Sequence, residues 1–360
     1  MKLNDREWGV FLIGDLFSVK RPPARNKDNY EVGDIPFVAS GSVNNGVMKC
    51  CKPLEDEKLD EAGCITVSPV DGSAFYQPYL FLGRGGAGSS ILMLYADNMN
   101  LYSGQFIAKM ISNTCACKYT YGHMGNKDGI KRERIMLPID ENNNPDYQFM
   151  EDYVKELTAR KREQYLDYCK EQLKIFGGGQ DLIPLKDKQW KAFYISDDKD
   201  NGIFKLRASL SGIDKNKLVD CKEPDIPYIT RSDFNNGVAM FVGKEQKVKY
   251  KIDDGNVITI GLDTQTVFYQ PHSFYTGQNI QVLYNEHLNR YVAKFIIPLL
   301  KMQVSKLSWG GNGATLGRLK RMQLLLPVSY DGQPDYDYME QYSKNLLCEK
   351  IQRYIKYVKC

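Results

Sequence analysis

The chain repeats itself. Trp8-Gly-Val-Phe11 matches Trp190-Lys-Ala-Phe193, and Asp34-Ile-Pro-Phe-Val38 matches Asp225-Ile-Pro-Tyr-Ile229. Asn44-Asn-Gly-Val47 recurs as Asn235-Asn-Gly-Val238. Ile65-Thr-Val67 recurs as Ile258-Thr-Ile260, and Phe75-Tyr-Gln-Pro78 as Phe268-Tyr-Gln-Pro271. The order is kept and the offsets run only from 182 to 193, as expected for two copies of one fold that differ in their loops. Residues 131–170 align without a gap on 320–359, with 16 identities in 40 positions. A period near 190 is too long for a solenoid and is the size of a domain. The 360 residues therefore read as two domain-sized bodies, each followed by a more similar tail.

The bodies, 1–143 and 181–332, hold short β-rich runs: Ile35–Val38, Cys64–Val67, Leu80–Leu82, Ile91–Tyr95, Ile226–Ile229, Val257–Ile260 and Ile280–Tyr284. Gly, Asn, Asp and Pro bound them, as they bound strands. Gln105–Ile111 and Asn289–Met302 read as helices packed on those strands, with Pro298 expected to interrupt the second. The expected class is α+β, two tandem mixed α/β bodies alternating with two long helices. The tails, 144–180 and 333–360, read as helices. Pro145 and Pro334 suit a first turn, and Asp146 and Asp335 sit at the positive end of the helix dipole. Met150, Val154, Leu157, Tyr165 and Tyr168 fall on one stripe, as do Met339, Leu346, Tyr354 and Tyr357. Gly177 to Gly179 ends the first helix. The tyrosines extend beyond what a body can cover. The expectation is that the helices pair with each other through Met150, Leu157, Tyr165, Tyr168, Met339, Leu346, Tyr354 and Tyr357. The competing reading packs each helix on its own body alone.

Several chemistries are excluded or disfavoured. With 48 basic and 44 acidic residues the net charge is +4, too low for a histone-like binder, although uneven placement leaves nucleic-acid binding open. Residues 1–180 hold 22 basic and 24 acidic residues, and 181–360 hold 26 and 20, so the second copy is the more basic. Nine cysteines without a C-x-x-C pair, and three histidines, argue against a zinc site or a disulfide framework. The start lacks an apolar signal region and no apolar run approaches a membrane span, so a reducing cytoplasm is expected. Gly83 to Gly88 has P-loop glycine spacing, but Ser replaces the required Lys. Pro145-Asp146 lacks a following Glu-x-Lys, which disfavours a nuclease. No G-x-G-x-x-G fingerprint and no Asn-Pro-Pro-aromatic motif occurs.

Ile226-Pro-Tyr-Ile-Thr-Arg-Ser-Asp-Phe-Asn-Asn-Gly-Val238 and its twin Ile35–Val47, with Gly313-Ala-Thr315 before Leu319–Pro327 and Lys131–Pro138 as the first-copy equivalent, carry a resemblance. In order and duplication, over almost the whole chain, they resemble the specificity (S) subunits of type I restriction–modification systems and related type II S subunits. The helix starts depart in carrying Pro-Asp-Tyr where the family has a Pro-Pro-Leu-x-Glu-Gln-like run. The resemblance implies two target recognition domains, each reading one half of a split double-stranded DNA site, and helices that pair antiparallel as a spacer. It implies no catalysis and no cofactor in this chain. Methyltransferase subunits, two of them, would bring S-adenosylmethionine, and restriction subunits would bring ATP and Mg. The rivals are a tandem carbohydrate- or protein-binding module, and an enzyme with an unrecognised site.

Candidate DNA contacts then fall in three places. After the Ile-Pro strand lie Ser40, Ser42, Asn44 and Asn45, matched by Arg231, Ser232, Asn235 and Asn236. Asn can pair with adenine and Arg with guanine, while the alternative for Asn-Asn-Gly is a tight turn. Before the last strand lie Lys118, Tyr119, Tyr121, His123 and Asn126, matched by Lys306, Trp309, Asn312 and Thr315. Basic, amide and aromatic groups together suit phosphates and base edges, while Trp309 equally suits a core. Lys131-Arg132 and Lys320-Arg321 recur in both copies and suit either phosphate clamping or packing against partners.

Overall fold

The structure, a computed structural model, describes residues 1–86, 90–177, 179–307 and 313–359. Chain contacts divide it into two units, Met1–Tyr165 and Leu166–Cys360.

The first unit contains β1 (Trp8–Leu12), α1 (Ile13–Leu16), β2 (Ser18–Lys20), β3 (Val32–Val38), β4 (Val47–Cys51), β5 (Cys64–Val67), β6 (Ala74–Gln77), β7 (Leu82–Gly83), β8 (Leu92–Tyr95), α2 (Leu101–Cys115), α3 (Lys127–Arg132) and β9 (Arg134–Pro138). From it rises the long helix α4 (Tyr147–Phe176). The strands form three sheets, ordered β1-β9, β2-β8-β5-β6 and β4-β3-β7. Helix α2 supplies the core wall. Its Phe106, Ile107, Ala108, Ile111 and Cys115 are buried with Ile65, Val67, Leu92 and Leu94. Gly104 lets the helix approach the sheet, because a Cβ there would lie 2.2 Å from the Tyr76 ring.

The second unit contains β10 (Trp190–Ser196), β11 (Gly202–Ala208), β12 (Ile226–Ile229), β13 (Val238–Val242), β14 (Val257–Gly261), β15 (Val267–Gln270), β16 (Tyr275–Thr276), β17 (Ile280–Tyr284), α5 (Arg290–Val304), α6 (Leu316–Leu319), β18 (Gln323–Pro327) and α7 (Tyr336–Lys359). The order β15-β14-β17-β11 repeats β6-β5-β8-β2, and β10-β18 repeats β1-β9. Here the ribbon joins the larger sheet into six strands. β10 runs on and pairs in parallel with β11, Tyr194 opposite Gly202 and Ser196 opposite Phe204, where α1 intervenes in the first unit. Pro36 and Pro227 sit in strands that are central in their small sheets. Each precedes the point where a parallel neighbour begins, at Phe37 and Tyr228, so the missing N–H falls beside no strand.

Pro298 does not interrupt its helix: α5 runs unbroken from Arg290 to Val304. The proline removes one backbone donor. The apolar stripe of Val292, Ala293, Ile296, Leu300 and Val304, buried in the core, holds the helix together. Burying such side chains contributes roughly 1.5–3 kcal/mol each.

Met150 and Met339 are fully buried inside the cores of the two bodies, so each anchors its own helix to its own domain. Both helices carry the same i,i+4 pair, Glu151–Lys155 and Glu340–Lys344. The last turns of α4 belong to the second unit. There Cys169 and Phe176 are buried, and Phe176 meets Tyr291 edge-to-face at 5.8 Å. Tyr165 and Tyr168 are about half exposed, Leu346 is slightly less so, Leu157 and Tyr354 are intermediate, and Tyr357 is exposed. No helix of the described residues is long and apolar enough to cross a membrane.

Candidate nucleic-acid interface

The Asn-Asn-Gly segments are turns of unusual shape. Asn44, Asn45 and Gly46 have φ of 50°, 54° and 73°, and Asn235, Asn236 and Gly237 have 50°, 57° and 79°. Three successive left-handed residues explain why Asn and Gly recur there. A buried glutamine holds each turn. Gln77 Nε2 donates to the Asn45 carbonyl at 3.0 Å and to Thr66 Oγ1 at 2.9 Å. Gln270 Nε2 donates to the Asn236 carbonyl and to Thr259 Oγ1, both at 3.1 Å. This is what the repeated Phe-Tyr-Gln-Pro and Ile-Thr segments do: one supplies the anchor, the other its second acceptor. Asn236 Nδ2 donates to the Tyr269 carbonyl, while the Asn44 and Asn235 side chains are exposed.

A second loop joins the first, and sequence reasoning missed it. In the first unit Ser73 Oγ donates to the Gly41 carbonyl at 2.9 Å and to Asp71 Oδ1 at 2.7 Å. Burial opposes the charge on Asp71, but hydrogen bonds from Ser68 and Ser73 outweigh it and hold that carboxyl below its usual range. In the second unit Asp263 pairs with Arg231 Nη1. The signal was available, since both loops are short polar turns between two repeat-matched strands. The third loop closes the group. Gly125 N donates to the Pro69 carbonyl at 2.8 Å, and Ala314 N to the Leu262 carbonyl at 2.7 Å. Each unit thus gathers three loops at one end: 40–46, 68–73 and 117–126 in the first, and 231–237, 262–266 and the described flanks 305–307 and 313–315 of a third loop in the second. In the first unit Ser42, Asn45, Asp71, Ser73 and Lys109 line an open cavity of about 520 Å³ there.

The expected contact residues divide. Ser40, Ser42, Asn44 and Asn45 lie in this cluster, as do Arg231, Ser232, Asn235 and Asn236. Tyr119 belongs to the core of the first unit, packed against Gly125, which leaves no ring to stack on a base. Asn126 caps α3, accepting from Asp128 N and Gly129 N. Lys118 pairs with Glu133, a hydrogen bond that raises the lysine pKa. Tyr121 and His123 stand exposed at the tip. Lys306 donates to Gln303 Oε1, and Thr315 is the residue before α6. Trp309 and Asn312 lie outside the described residues. Lys131 and Arg132 are exposed in the last turn of α3, where Lys131 backs onto Gly14 of α1. Lys320 pairs with Asp198 at 2.6 Å and depresses that carboxyl, while Arg321 is exposed. Among the described residues these four basic positions take no part in the bonds that tie the loops together, and no cluster suited to a metal ion occurs.

A profile of the type I restriction modification DNA specificity domain matches residues 5–167 and again 201–356. The chain is 27% identical, over 345 residues and 93% of each chain, to the type II restriction enzyme BcgI specificity subunit of Heyndrickxia coagulans. Among solved structures it is similar to the type I restriction–modification S subunit of M. genitalium, at 13% identity and a TM-score of 0.46 over 100% of this chain and 94% of that one. It is also similar to the HsdS subunit of Thermoanaerobacter tengcongensis, at 14% identity and a TM-score of 0.30 over 98% and 90%. With both halves matched by the same profile, the chain belongs to the restriction–modification specificity-subunit family, as a two-domain specificity subunit and not an enzyme.

Proposed function

We propose that each unit reads one half of a bipartite double-stranded DNA target with its three-loop end. The observation that carries this reading is the repeated anchoring of one turn by Gln77 and Gln270, while the residues around it differ between copies. A shared scaffold under divergent side chains suits two different half-sites. Phosphate contacts position a protein on DNA and base-edge contacts specify. In this reading Lys131, Arg132, Lys320 and Arg321 serve the first role, and Ser40, Ser42, Asn44, Asn45, Arg231, Asn235 and Asn236 the second.

In this reading residues 1–143 and 181–332 are the recognition domains, and 144–180 and 333–360 are the spacers. Helices α4 and α7 pair antiparallel through Leu157, Tyr165, Tyr168, Leu346, Tyr354 and Tyr357. Supporting this, Gln180, just past α4, exchanges two hydrogen bonds with Asn345 of α7, and Tyr338 Oη donates to the Ile183 carbonyl. Within the second unit these bonds lay the segment after α4 along the first half of α7, which suits antiparallel pairing. The 30 residues of α4 span about 45 Å, the length of about 13 base pairs.

Methyl transfer then belongs to docked methyltransferase subunits using S-adenosylmethionine, two per chain to match the two copies. ATP-driven restriction with Mg belongs to further subunits. Co-expression with the cognate methyltransferase subunit, followed by sequencing of methylated sites, tests this. A bipartite motif is expected. A methyltransferase complex that modifies an ungapped motif would overturn the two-half reading.

A further inference from the structure

Arg231 follows strand β12 and stands at the meeting of the first and middle loops, 39% exposed along its side chain. The turn that holds it is built to stay in place. Gly261 N donates to the Thr266 carbonyl at 2.9 Å, and Gln265 N to the Gly261 carbonyl at 3.0 Å. Gln265 Nε2 donates to the Asp263 carbonyl at 2.8 Å. A Cβ on Gly261 would lie 2.6 Å from Thr266 Oγ1, 2.7 Å from Thr264 Oγ1 and 3.4 Å from Arg231 Cγ, so the turn and the arginine are packed together. From this turn the Asp263 carboxylate meets Nη1 of Arg231.

The two residues also change together within the repeat. At the offset of the Asn-Asn-Gly segments, Arg231 corresponds to Ser40. At the offset of the Ile-Thr segments, Asp263 corresponds to Val70. At these matched positions the first copy has neither charge and the second has both; the carboxylate of the first copy's loop, Asp71, is one residue on and bonds to Ser73 instead of an arginine. An ion pair needed by the common fold would be present in each copy.

We propose that Arg231 reads a guanine in the half-site of the second unit and that Asp263 is the positioning residue that orients it. This rests on the reading that the three-loop end meets DNA. A guanidinium carries five N–H donors in a planar fork, and guanine offers O6 and N7 as a matching pair of acceptors in the major groove. Asp263 engages the Nη1 side. Among the described residues no partner meets Nε or Nη2, so that edge can face a base. Holding the side chain beforehand removes part of the rotamer entropy lost on binding. The paired carboxylate also cancels the arginine's charge, so the pair adds selectivity more than general attraction to phosphate.

The test uses the complex with its methyltransferase subunit and sequencing of methylated sites. The wild-type motif is expected to hold a G·C pair whose preference falls on the order of tenfold to hundredfold in Arg231→Gln. Asp263→Ala is expected to relax the same position, Asp263→Glu to retain it, and the double variant to lose no more than Arg231→Gln, since the residues act as one unit. The other half-site stays unchanged throughout. Replacing that guanine by 7-deazaguanine in a duplex bound by the wild-type complex should weaken binding about tenfold, a measurement independent of any variant's folding. Relaxation at a different base, in the other half-site, or nowhere overturns the proposal. A wild-type complex without a gapped motif would instead overturn the broader reading.

Discussion

Asn289 Nδ2 donates to Glu340 Oε2 at 2.7 Å, while its Oδ1 caps α5 by accepting from Tyr291 N and Val292 N. Asn100 and Glu151 do the same in the first unit at 2.5 Å, with Asn100 capping α2. One side chain thus starts the core helix of a body and fastens the long helix to it, in both copies. Asn289→Ala removes the cap and the tether. An N-cap alone is worth about 1 kcal/mol, so a loss of about 1–2 kcal/mol is expected in urea unfolding.

The same carboxylates set a pH dependence. Burial opposes the charge on Glu340, but Lys344 and Asn289 more than offset this and hold its pKa below the usual glutamate range. Glu57 is likewise depressed: burial opposes its charge, and hydrogen bonds from Arg25, Tyr30 and Leu54 N prevail. A depressed acid contributes stability that is present above its unfolded value, near 4.3, and is lost as pH falls through the folded one. Unfolding free energy should decline below about pH 4.5, and less steeply in Glu340→Gln than in the wild type.

Arg25 is almost completely buried between Glu57 and Asp60, at 2.7 and 2.6 Å. Removing one member of such a group leaves an unpaired buried charge. Arg25→Met should cost about 3–5 kcal/mol, seen as a lower denaturation midpoint for the first unit.

Gly104 and Gly317 separate helix propensity from packing. Alanine in place of a helical glycine gains up to about 1 kcal/mol. At Gly317, where nothing lies within 4 Å of a Cβ, Gly317→Ala should stabilise by that order. At Gly104 the clash with Tyr76 wins, and Gly104→Ala should destabilise by about 1–3 kcal/mol. Equal effects in chemical denaturation would contradict the close approach of α2 to its sheet.

Burial pushes the thiols of Cys64 and Cys115 up to about 12. Cys50, Cys117 and Cys221 are exposed. Among the described cysteines, alkylation at pH 8 read by mass spectrometry should mark these three first and leave Cys64 and Cys115 unreacted until the protein unfolds.

The sequence by itself determined that there are two copies, where seven of their strands fall and that a helix follows each body. Those features are local or periodic, and the repeat reports them twice. It also marked Asn-Asn-Gly, because left-handed backbone admits few residue types. It did not disclose that Gln77 and Gln270 hold those turns, since that bond spans more than 30 residues. Nor did it separate Tyr119, an aromatic in a polar loop, from a base-stacking residue. Burial against Gly125 and the first core decides that. Pro298 read as a break because its local cost is large, and only the buried stripe around it shows why the helix continues. Arg231 was visible as a lone basic residue. That it has a carboxylate from another loop for a partner is decided by how three segments, far apart in the chain, meet at one end of a domain.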